Sequence, residues 1–220
     1  MMRFWPLLGA SALFAVLAFA CKGDAGTPKG ETPASSPALA PTPKTYQERP
    51  AVTIGAGEKY SAVVDTTKGK FTIELRPDIA LQAVNSFIFL ARDGFYNGIT
   101  FHRVLRDVPG QPDFVAQTGD PTGTGSGGPG YTLPAEFSDE PYVRGTVGMA
   151  RTNDPNSAGS QWFITYNDKY QDPLNGQYTV FGKVVEGMEI VEALTPRDPQ
   201  NVATPQPEGD KIISIEIKEG

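Results

Sequence analysis

From about residue 57 to the C-terminus, the chain is a series of short segments with strand character, separated by turn residues. Segments 60–64 and 70–75 flank a Thr-Lys-Gly turn, and the second alternates Phe71, Ile73 and Leu75 with polar residues. Such alternation is typical of a strand with one buried face. The remaining strand-like segments are 100–105, 114–117, 146–149, 162–165, 179–184 and 211–218. Eight short strands therefore dominate this region.

Two segments in the same region have a helical pattern instead. Residues 83–92 place Val84, Phe87 and Ile88 on one face, and Gly94 follows at the position where glycine often ends a helix. Residues 188–194 form the second such segment. Many short strands with few helices predict a mainly β fold, an antiparallel barrel with helical caps.

Charge and residue scarcity exclude several kinds of site. The net charge is −6, so a basic nucleic-acid footprint is absent and we expect no nucleic-acid partner. Cys21 and His102 are the only cysteine and histidine, which excludes a disulfide framework and a multi-cysteine metal site. The carboxylates Asp120, Glu136 and Asp139 show no metal-ligand spacing. We therefore expect no metal and no cofactor.

The N-terminus has the pattern of an export signal. Arg3 is followed by the uncharged, mostly apolar residues 4–20, a run that is short for a transmembrane helix and ends in small residues. Cys21 follows directly, which resembles a bacterial lipoprotein signal in which that cysteine is lipidated. We expect residues 1–20 to be a signal peptide and Cys21 to anchor the protein to a membrane of the cell envelope.

Two alternatives to a lipid anchor remain open. Ala18 stands where lipoprotein signals usually have leucine, and Ala18 with Ala20 also fits ordinary signal peptidase, which would leave Cys21 unlipidated. An uncleaved membrane anchor is the third possibility. A lone exposed thiol would be a liability in an oxidising compartment, and this favours lipidation. Residues 21–56, rich in Pro, Thr and Ala, predict a linker before a domain at 57–220.

Four motifs follow one another along the predicted domain. They are Phe101-His102-Arg103-Val104, then FVAQTGD at 114–120, NSAGSQWFI at 156–164 and VFGKV at 180–184. Together, in this order and at these spacings, they resemble the cyclophilin family of peptidyl-prolyl cis/trans isomerases. The resemblance runs from about Tyr60 to the C-terminus. It implies a closed eight-stranded antiparallel barrel capped by two α-helices.

The resemblance also implies roles for individual residues. Arg103 matches the catalytic arginine and Gln117 the glutamine that binds the peptide backbone. The positions that match the family's substrate-binding residues are Phe114, Val115, Ala150, Arg151, Gln161, Phe163, Leu174 and Tyr178.

Several of these positions depart from the commonest pattern of the eukaryotic members. Val115 replaces a methionine, Arg151 an asparagine, Pro173 a tryptophan and Tyr178 a histidine. The tryptophan position matters most for cyclosporin, so we expect that drug to bind weakly. Tyr178 retains an aromatic ring and a hydroxyl donor, which suit a proline pocket.

Other features near the motifs have simpler interpretations. His102 alternates with Arg103 and should face the opposite side of its strand as a packed residue, not a base. Trp162 neighbours Phe163 in the same way and should lie in the core. Residues 123–128 fit G-x-G-x-x-G, but no helix follows, so we expect a loop near the site and no dinucleotide site.

The sequence therefore predicts an enzyme that rotates X–Pro bonds while exported proteins fold. Such a reaction needs no nucleophile, metal or cofactor, because no bond is cleaved. The alternative is a non-catalytic module at the cell surface that binds proline-containing peptides as a chaperone or adaptor. The changes at Val115, Pro173 and Tyr178 motivate that alternative, whereas the nearly complete catalytic set around Arg103 favours the enzyme.

Overall fold

A computed structural model describes residues 44–107, 110–200 and 205–220. The predicted signal peptide, Cys21 and residues 22–43 of the predicted linker lie outside these residues. Within the described part of the chain, none of the helices has the length and apolar character needed to span a bilayer.

Eight strands form one sheet in which all neighbours are antiparallel, as the sequence predicts. The strands are β1 Tyr60–Thr66, β2 Gly69–Leu75, β3 Arg103–Val104, β4 Val115–Thr118, β5 Thr146–Met149, β6 Trp162–Thr165, β7 Val180–Glu186 and β8 Ile212–Glu219. Their order across the sheet is β3-β4-β6-β5-β7-β2-β1-β8. The three strands β3, β4 and β6 therefore lie side by side at one edge.

The first hairpin shows how the sequence sets the register. Gly69 has a φ of 125°, a conformation that glycine adopts without strain, and the Thr66 hydroxyl donates to its carbonyl oxygen at 2.7 Å. Phe71, Ile73 and Leu75 then point into the core and are almost fully buried. A shift of one residue would expose all three side chains, so burial fixes the pairing.

The two edge strands meet only locally. Among the described strands, β3 and β8 form no continuous ladder, and the edges are joined by an isolated bridge between Thr100 and Lys211. The Phe101 N–H donates to the Asp210 carbonyl at 2.8 Å, and the Ile212 N–H donates to the Ile99 carbonyl at 2.9 Å. The expected strand at 100–105 shortens to β3 because the backbone before Arg103 bonds to this edge. The sheet is thus a half-barrel.

Three helices accompany the sheet in the part of the chain that the structure describes. They are α1 Leu81–Arg92, α2 Gln171–Leu174 and α3 Met188–Glu192. The predicted segments 83–92 and 188–194 correspond to α1 and α3. The four-residue α2 was not predicted, because a single turn that contains Pro173 is too short to show a helical period. Gly94 ends α1 with a φ of 69°, as expected.

A distant carboxylate caps the start of α1. No side chain of the helix's own N-cap residue, Ala80, does so. The Gln82 and Ala83 N–H groups donate to the two carboxylate oxygens of Glu136 at 3.0 and 2.9 Å. These donors have no partner inside a helix, and a negative charge is favourable at this end. Glu136 thereby ties the segment before β5 to α1.

The main core is aromatic and lies between α1 and the sheet. Phe87 contacts Tyr96, Trp162 and Phe181 at ring-centroid distances of 5.4, 5.9 and 5.3 Å. Trp162 is fully buried, which confirms its predicted place. Phe101 also contacts the Trp162 ring at 6.1 Å and thereby seats the residues before β3.

The end of the predicted linker packs on the domain. Residues 44–56 contain no helix or strand, yet the Tyr46 ring contacts Phe89 at 5.2 Å and its hydroxyl donates to Asp93 at 2.7 Å. The Tyr46 N–H donates to the Pro129 carbonyl at 2.8 Å, and the Thr53 N–H donates to the Asn85 side chain. The described domain thus includes residues on the N-terminal side of position 57.

Candidate active site

Three neighbouring strands place the predicted site residues in one row. Arg103 on β3 pairs with Gln117 on β4, and Gln117 pairs with Phe163 on β6. Directly opposite residues of antiparallel strands project from the same face. The side chains of a cation, an amide and an aromatic ring therefore lie next to one another.

A cavity of about 140 Å³ opens beside this row. It is lined by Arg103, Phe114, Val115, Gln117, Ala150, Arg151, Phe163, Leu174 and Tyr178. The structure thus brings nine of the ten predicted site residues into one cavity. The tenth, Gln161, lies beside it and accepts a hydrogen bond of 2.9 Å from the Gln117 side chain. Ligand cavities for drug-sized molecules span roughly 300–1,000 Å³, so this one suits a single small side chain.

The floor of the cavity is a second, smaller apolar cluster. Tyr142 stacks under Phe163 with ring centroids 5.6 Å apart and an interplanar angle of 17°. The Tyr142 hydroxyl approaches Gly148 so closely that a Cβ there would lie 2.0 Å from it. Burial raises the pKa of Tyr142, which keeps the phenol neutral. Sequence reasoning missed Tyr142, because it precedes β5 in a segment without a periodic pattern.

Two aromatic contacts form the walls. Phe114 contacts Tyr170 at 4.2 Å, and Phe163 meets Tyr178 edge-on at 5.7 Å with an angle of 87°. The Tyr178 ring thus forms part of the cavity lining. Tyr170 was not predicted, since it lies in an irregular segment just before α2.

Arg103 presents a positive charge that no carboxylate of the described residues neutralises. It is half-buried, and no carboxylate in the described ranges forms an ion pair with it. Its Nε is buried without a hydrogen-bond partner in the described residues. The guanidinium carbon lies 5.8 Å from the centre of the Phe114 ring. A buried donor without a partner costs free energy, so a ligand acceptor at this point is favourable.

The side-chain amides of Gln117 and Gln161 form a hydrogen-bonded chain along the polar side of the site. The Gln161 side-chain amide donates to the carbonyl oxygens of Gly125 and Gly127 at 3.0 and 2.8 Å, and its own oxygen accepts from Gln117. With both ends engaged, Gln161 fixes which way the Gln117 amide points. The predicted glycine-rich loop therefore lies at the site and supports it.

Asp120 organises that loop from beneath. Its carboxylate accepts from the Thr122 N–H and hydroxyl, each at 2.7 Å, and from the Gly125 N–H. Burial by itself raises the pKa of Asp120, but these hydrogen bonds outweigh burial and lower the pKa below its usual value. A charged Asp120 thus serves the loop. Within the described residues, no cluster of His, Cys, Asp and Glu is placed to hold a metal ion.

His102 directly precedes β3, is buried and does not line the cavity. It is 1% exposed, and neither ring nitrogen has a hydrogen-bond partner among the described residues. Burial lowers the pKa of His102, although the nearby Asp120 opposes that shift. A neutral, packed imidazole agrees with a structural role.

A larger groove of about 610 Å³ adjoins the small cavity. Gln117, Ala150 and Arg151 line both spaces. The glycine-rich loop and residues around Gly159 and Ser160 form its far walls. A peptide that enters the small cavity with one side chain therefore has room to continue across these three shared residues.

Comparison with known proteins identifies the family. Residues 62–217 match the family model described as cyclophilin type peptidyl-prolyl cis-trans isomerase/CLD. The chain belongs to this family. The resemblance drawn from the four motifs is thereby confirmed.

Named relatives agree with this assignment. The cyclophilin is 44% identical over 189 residues to a probable peptidyl-prolyl cis-trans isomerase of Brucella suis, covering 76% of this chain and 91% of that protein. It is 43% identical over 131 residues to peptidyl-prolyl cis-trans isomerase B of Bacillus subtilis, covering 59% and 85%.

Solved structures agree as well. A cyclophilin type isomerase of Cryptosporidium parvum superposes with a TM-score of 0.61 at 29% identity, covering 74% of this chain and 99% of that one. A structure of the same Cryptosporidium parvum protein in the presence of the dipeptide Ala-Pro has a TM-score of 0.63 at 32% identity, covering 73% of this chain and 99% of that one. The chain is an isomerase of peptidyl-prolyl bonds, as predicted.

Proposed function

We propose that this cyclophilin accelerates X–Pro rotation in exported proteins as they fold, while a lipid on Cys21 anchors it at the cell envelope. The observation that carries the cellular setting is the apolar run 4–20 followed at once by the only cysteine. A Pro-rich linker then separates that cysteine from the domain, which gives the site reach from a membrane surface.

The rate effect comes from binding the twisted amide more tightly than either planar isomer. Rotation meets a barrier of roughly 18–20 kcal/mol because amide resonance must be broken. At the twisted state the prolyl nitrogen gains a lone pair. Arg103 donates to that lone pair, because its guanidinium stays charged and no carboxylate of the described chain pairs with it. No bond is cleaved, so no base is required.

The rest of the cavity holds the substrate in place. Phe114, Phe163 and Leu174 contact the pyrrolidine ring, and the Tyr142 ring supports Phe163 from below. The Gln117 amide binds the peptide backbone on the other side of the rotating bond. The Ala150 N–H already donates to the Gln161 carbonyl at 2.9 Å, which leaves the Ala150 carbonyl to accept from the peptide.

The proposed anchor is tested on the protein purified from its native membranes. Mass spectrometry of the mature N-terminus should show a diacylated or triacylated Cys21, and Cys21→Ser should release the protein from the membrane fraction. An unmodified Cys21 in a soluble protein would leave ordinary secretion as the correct alternative. A chain that retains Met1 in the cytoplasm would contradict export altogether.

We also infer that the half-barrel closes. The support is the bridge at Thr100 and Lys211, with the hydrogen bonds of Phe101 and Ile212 on either side. In a closed barrel, the Phe101 and Ile212 amides should be protected from hydrogen exchange to the same degree as the amides of β1. Exchange at Phe101 and Ile212 at the rate of an unprotected loop would show that the edge stays open.

Weak cyclosporin binding remains part of the proposal. Pro173 lies exposed in α2 next to the cavity residue Leu174, where a tryptophan would add an aromatic face and an N–H donor. Pro173→Trp should therefore lower the cyclosporin concentration needed for half-inhibition. An unmodified protein inhibited at the same concentration as the variant would contradict this assignment.

A further inference from the structure

We propose that this cyclophilin prefers substrates with an acidic side chain at one of the two positions that precede proline. Arg151 is the residue that binds this acidic side chain. This inference rests on the site roles proposed above. It concerns one side chain, held at the boundary between the small cavity and the larger groove.

Arg151 is held in a fixed position. Its guanidinium carbon lies 4.5 Å from the centre of the Tyr178 ring. Its Nε donates to the Gln177 carbonyl and its Nη1 donates to the Thr152 carbonyl, both at 2.8 Å. A guanidinium has five N–H groups, so three remain for a ligand. Because the side chain is already ordered, binding a carboxylate costs little further entropy.

The charges around the two spaces have one sign. The small cavity contains the cations Arg103 and Arg151, and Arg151 is the only charged side chain that lines the larger groove in the described structure. Among the residues of known position that line the two spaces, none is a carboxylate. Asp120, which supports the glycine-rich loop, is buried and engaged by Thr122 and Gly125, and Asp154, three residues after Arg151, accepts from the Asn156 N–H. This positive surface stands out on a chain whose net charge is −6.

The direction of the peptide places Arg151 on the side that precedes proline. Arg103 must face the prolyl nitrogen while the ring fills the small cavity. The acyl side of the rotating bond then lies toward Gln117, which pairs with Arg103 across β3 and β4. Beyond Gln117 the groove continues past Ala150 and Arg151, so the residues before proline pass within reach of the guanidinium.

The partial exposure of Arg151 sets the expected size of the preference for an acidic residue. Arg151 is half-buried, and ion pairs at accessible sites contribute modestly. We expect kcat/KM for a glutamate peptide to exceed that for its glutamine analogue by about three- to fivefold at low ionic strength. The ratio should approach one at high salt, because screening weakens an accessible pair.

The test uses tetrapeptides that carry Glu or Gln at the first or second position before proline, or after it. Exchange NMR gives kcat/KM, and titration gives the Kd. The Glu/Gln ratio should be above about three at one of the two preceding positions for the unmodified protein. It should fall to near one in Arg151→Gln. Arg144→Gln removes an exposed arginine paired with Glu192 and should leave the ratio unchanged.

Three results would overturn the inference. They are a ratio near one in the unmodified protein, a ratio that survives in Arg151→Gln, and a preference confined to the position after proline. A protein that turns over none of the peptides would contradict the proposed roles of Arg103 and Gln117. In that case the ratio of Kd values still decides whether Arg151 selects an acidic residue.

Discussion

At the scale of single residues, the site combines an unneutralised cation with a rigid apolar floor. Arg103 is recognisable from its motif, and the structure places it beside Gln117 and Phe114 as expected. Tyr142 was not recognisable, because its role depends on stacking under a residue of another strand. A sequence pattern shows which face of a strand is buried, but not which distant ring lies beneath it.

The contact between Tyr142 and Gly148 gives a prediction about the floor. Gly148→Ala places a methyl group 2.0 Å from the Tyr142 hydroxyl, so the ring must shift and Phe163 with it. We expect a loss of about 1–3 kcal/mol in the free energy of unfolding and a higher KM for proline peptides. Urea unfolding and peptide kinetics measure both effects. Gly57→Ala is the control, because nothing lies within 4 Å of its Cβ.

If Gly148→Ala unfolds at the same urea concentration as Gly57→Ala and binds peptide normally, the floor is not rigid. The account of Phe163 as a side chain held from below would then be wrong.

His102 gives a prediction about pH. Burial lowers its pKa in the folded protein, so the unfolded chain binds a proton more readily. Stability contributed by the neutral imidazole is therefore present above the unfolded pKa of about 6.5 and is lost as pH falls toward the folded pKa. His102 is the only histidine, so urea unfolding between pH 7 and 5 reports mainly on this group.

The matched variant for this measurement is His102→Phe, which keeps a buried ring and cannot titrate. Its free energy of unfolding should change less between pH 7 and 5 than that of the unmodified protein. Parallel pH profiles for the two proteins would show that His102 is not the group responsible.

At the scale of elements, the positions of the strands were predictable from the sequence. The exact ends of β3 and the short helix α2 were not. Alternation located β2, and the other strand-like segments located β1, β5, β6 and β8. The shortening of β3 and the single turn of α2 depend on contacts with remote segments. The propensity of a local segment does not reveal contacts with remote segments. The length of β3 and the presence of α2 therefore differ from the prediction.

The docked segment at 44–56 is the clearest example. The composition of this segment resembles that of the linker before it. Even so, the Tyr46 ring packs on Phe89, its hydroxyl donates to Asp93, and its backbone N–H donates to the Pro129 carbonyl. Hydrogen bonds from Lys44 and Tyr46 lower the pKa of Asp93. Because Pro129 and Thr45 line the larger groove, this segment supports one wall of the site.

Removing the Tyr46 ring tests that support. Tyr46→Ala should lower the free energy of unfolding by about 1–2 kcal/mol, because it deletes the ring contacts with Phe89 and Tyr131 and the hydrogen bond from the Tyr46 hydroxyl to Asp93. It should also raise KM for peptides that extend before proline more than for short ones. Glu48→Ala, an exposed neighbour, is the control. Equal KM changes for long and short peptides would contradict a role for the segment in the groove.

At the scale of the whole molecule, two apolar clusters have different roles. The large core between α1 and the sheet holds the fold, and the small cluster around Tyr142 and Val180 underlies the cavity. The mainly β class followed from the many short strand-like segments, and the family followed from the four motifs in their order. The half-barrel geometry of the edges did not follow, because a motif order says nothing about how two end strands meet.

The central claim is that Arg103 stabilises the twisted amide. Arg103→Ala should lower kcat/KM for proline-peptide isomerisation by about 10²–10³ while the Kd of the peptide changes little, because the contact forms only in the transition state. Arg92→Ala, which removes an exposed arginine paired with Glu219, should isomerise at the unmodified rate. An Arg103→Ala protein that is folded and keeps kcat/KM within about threefold would contradict the account.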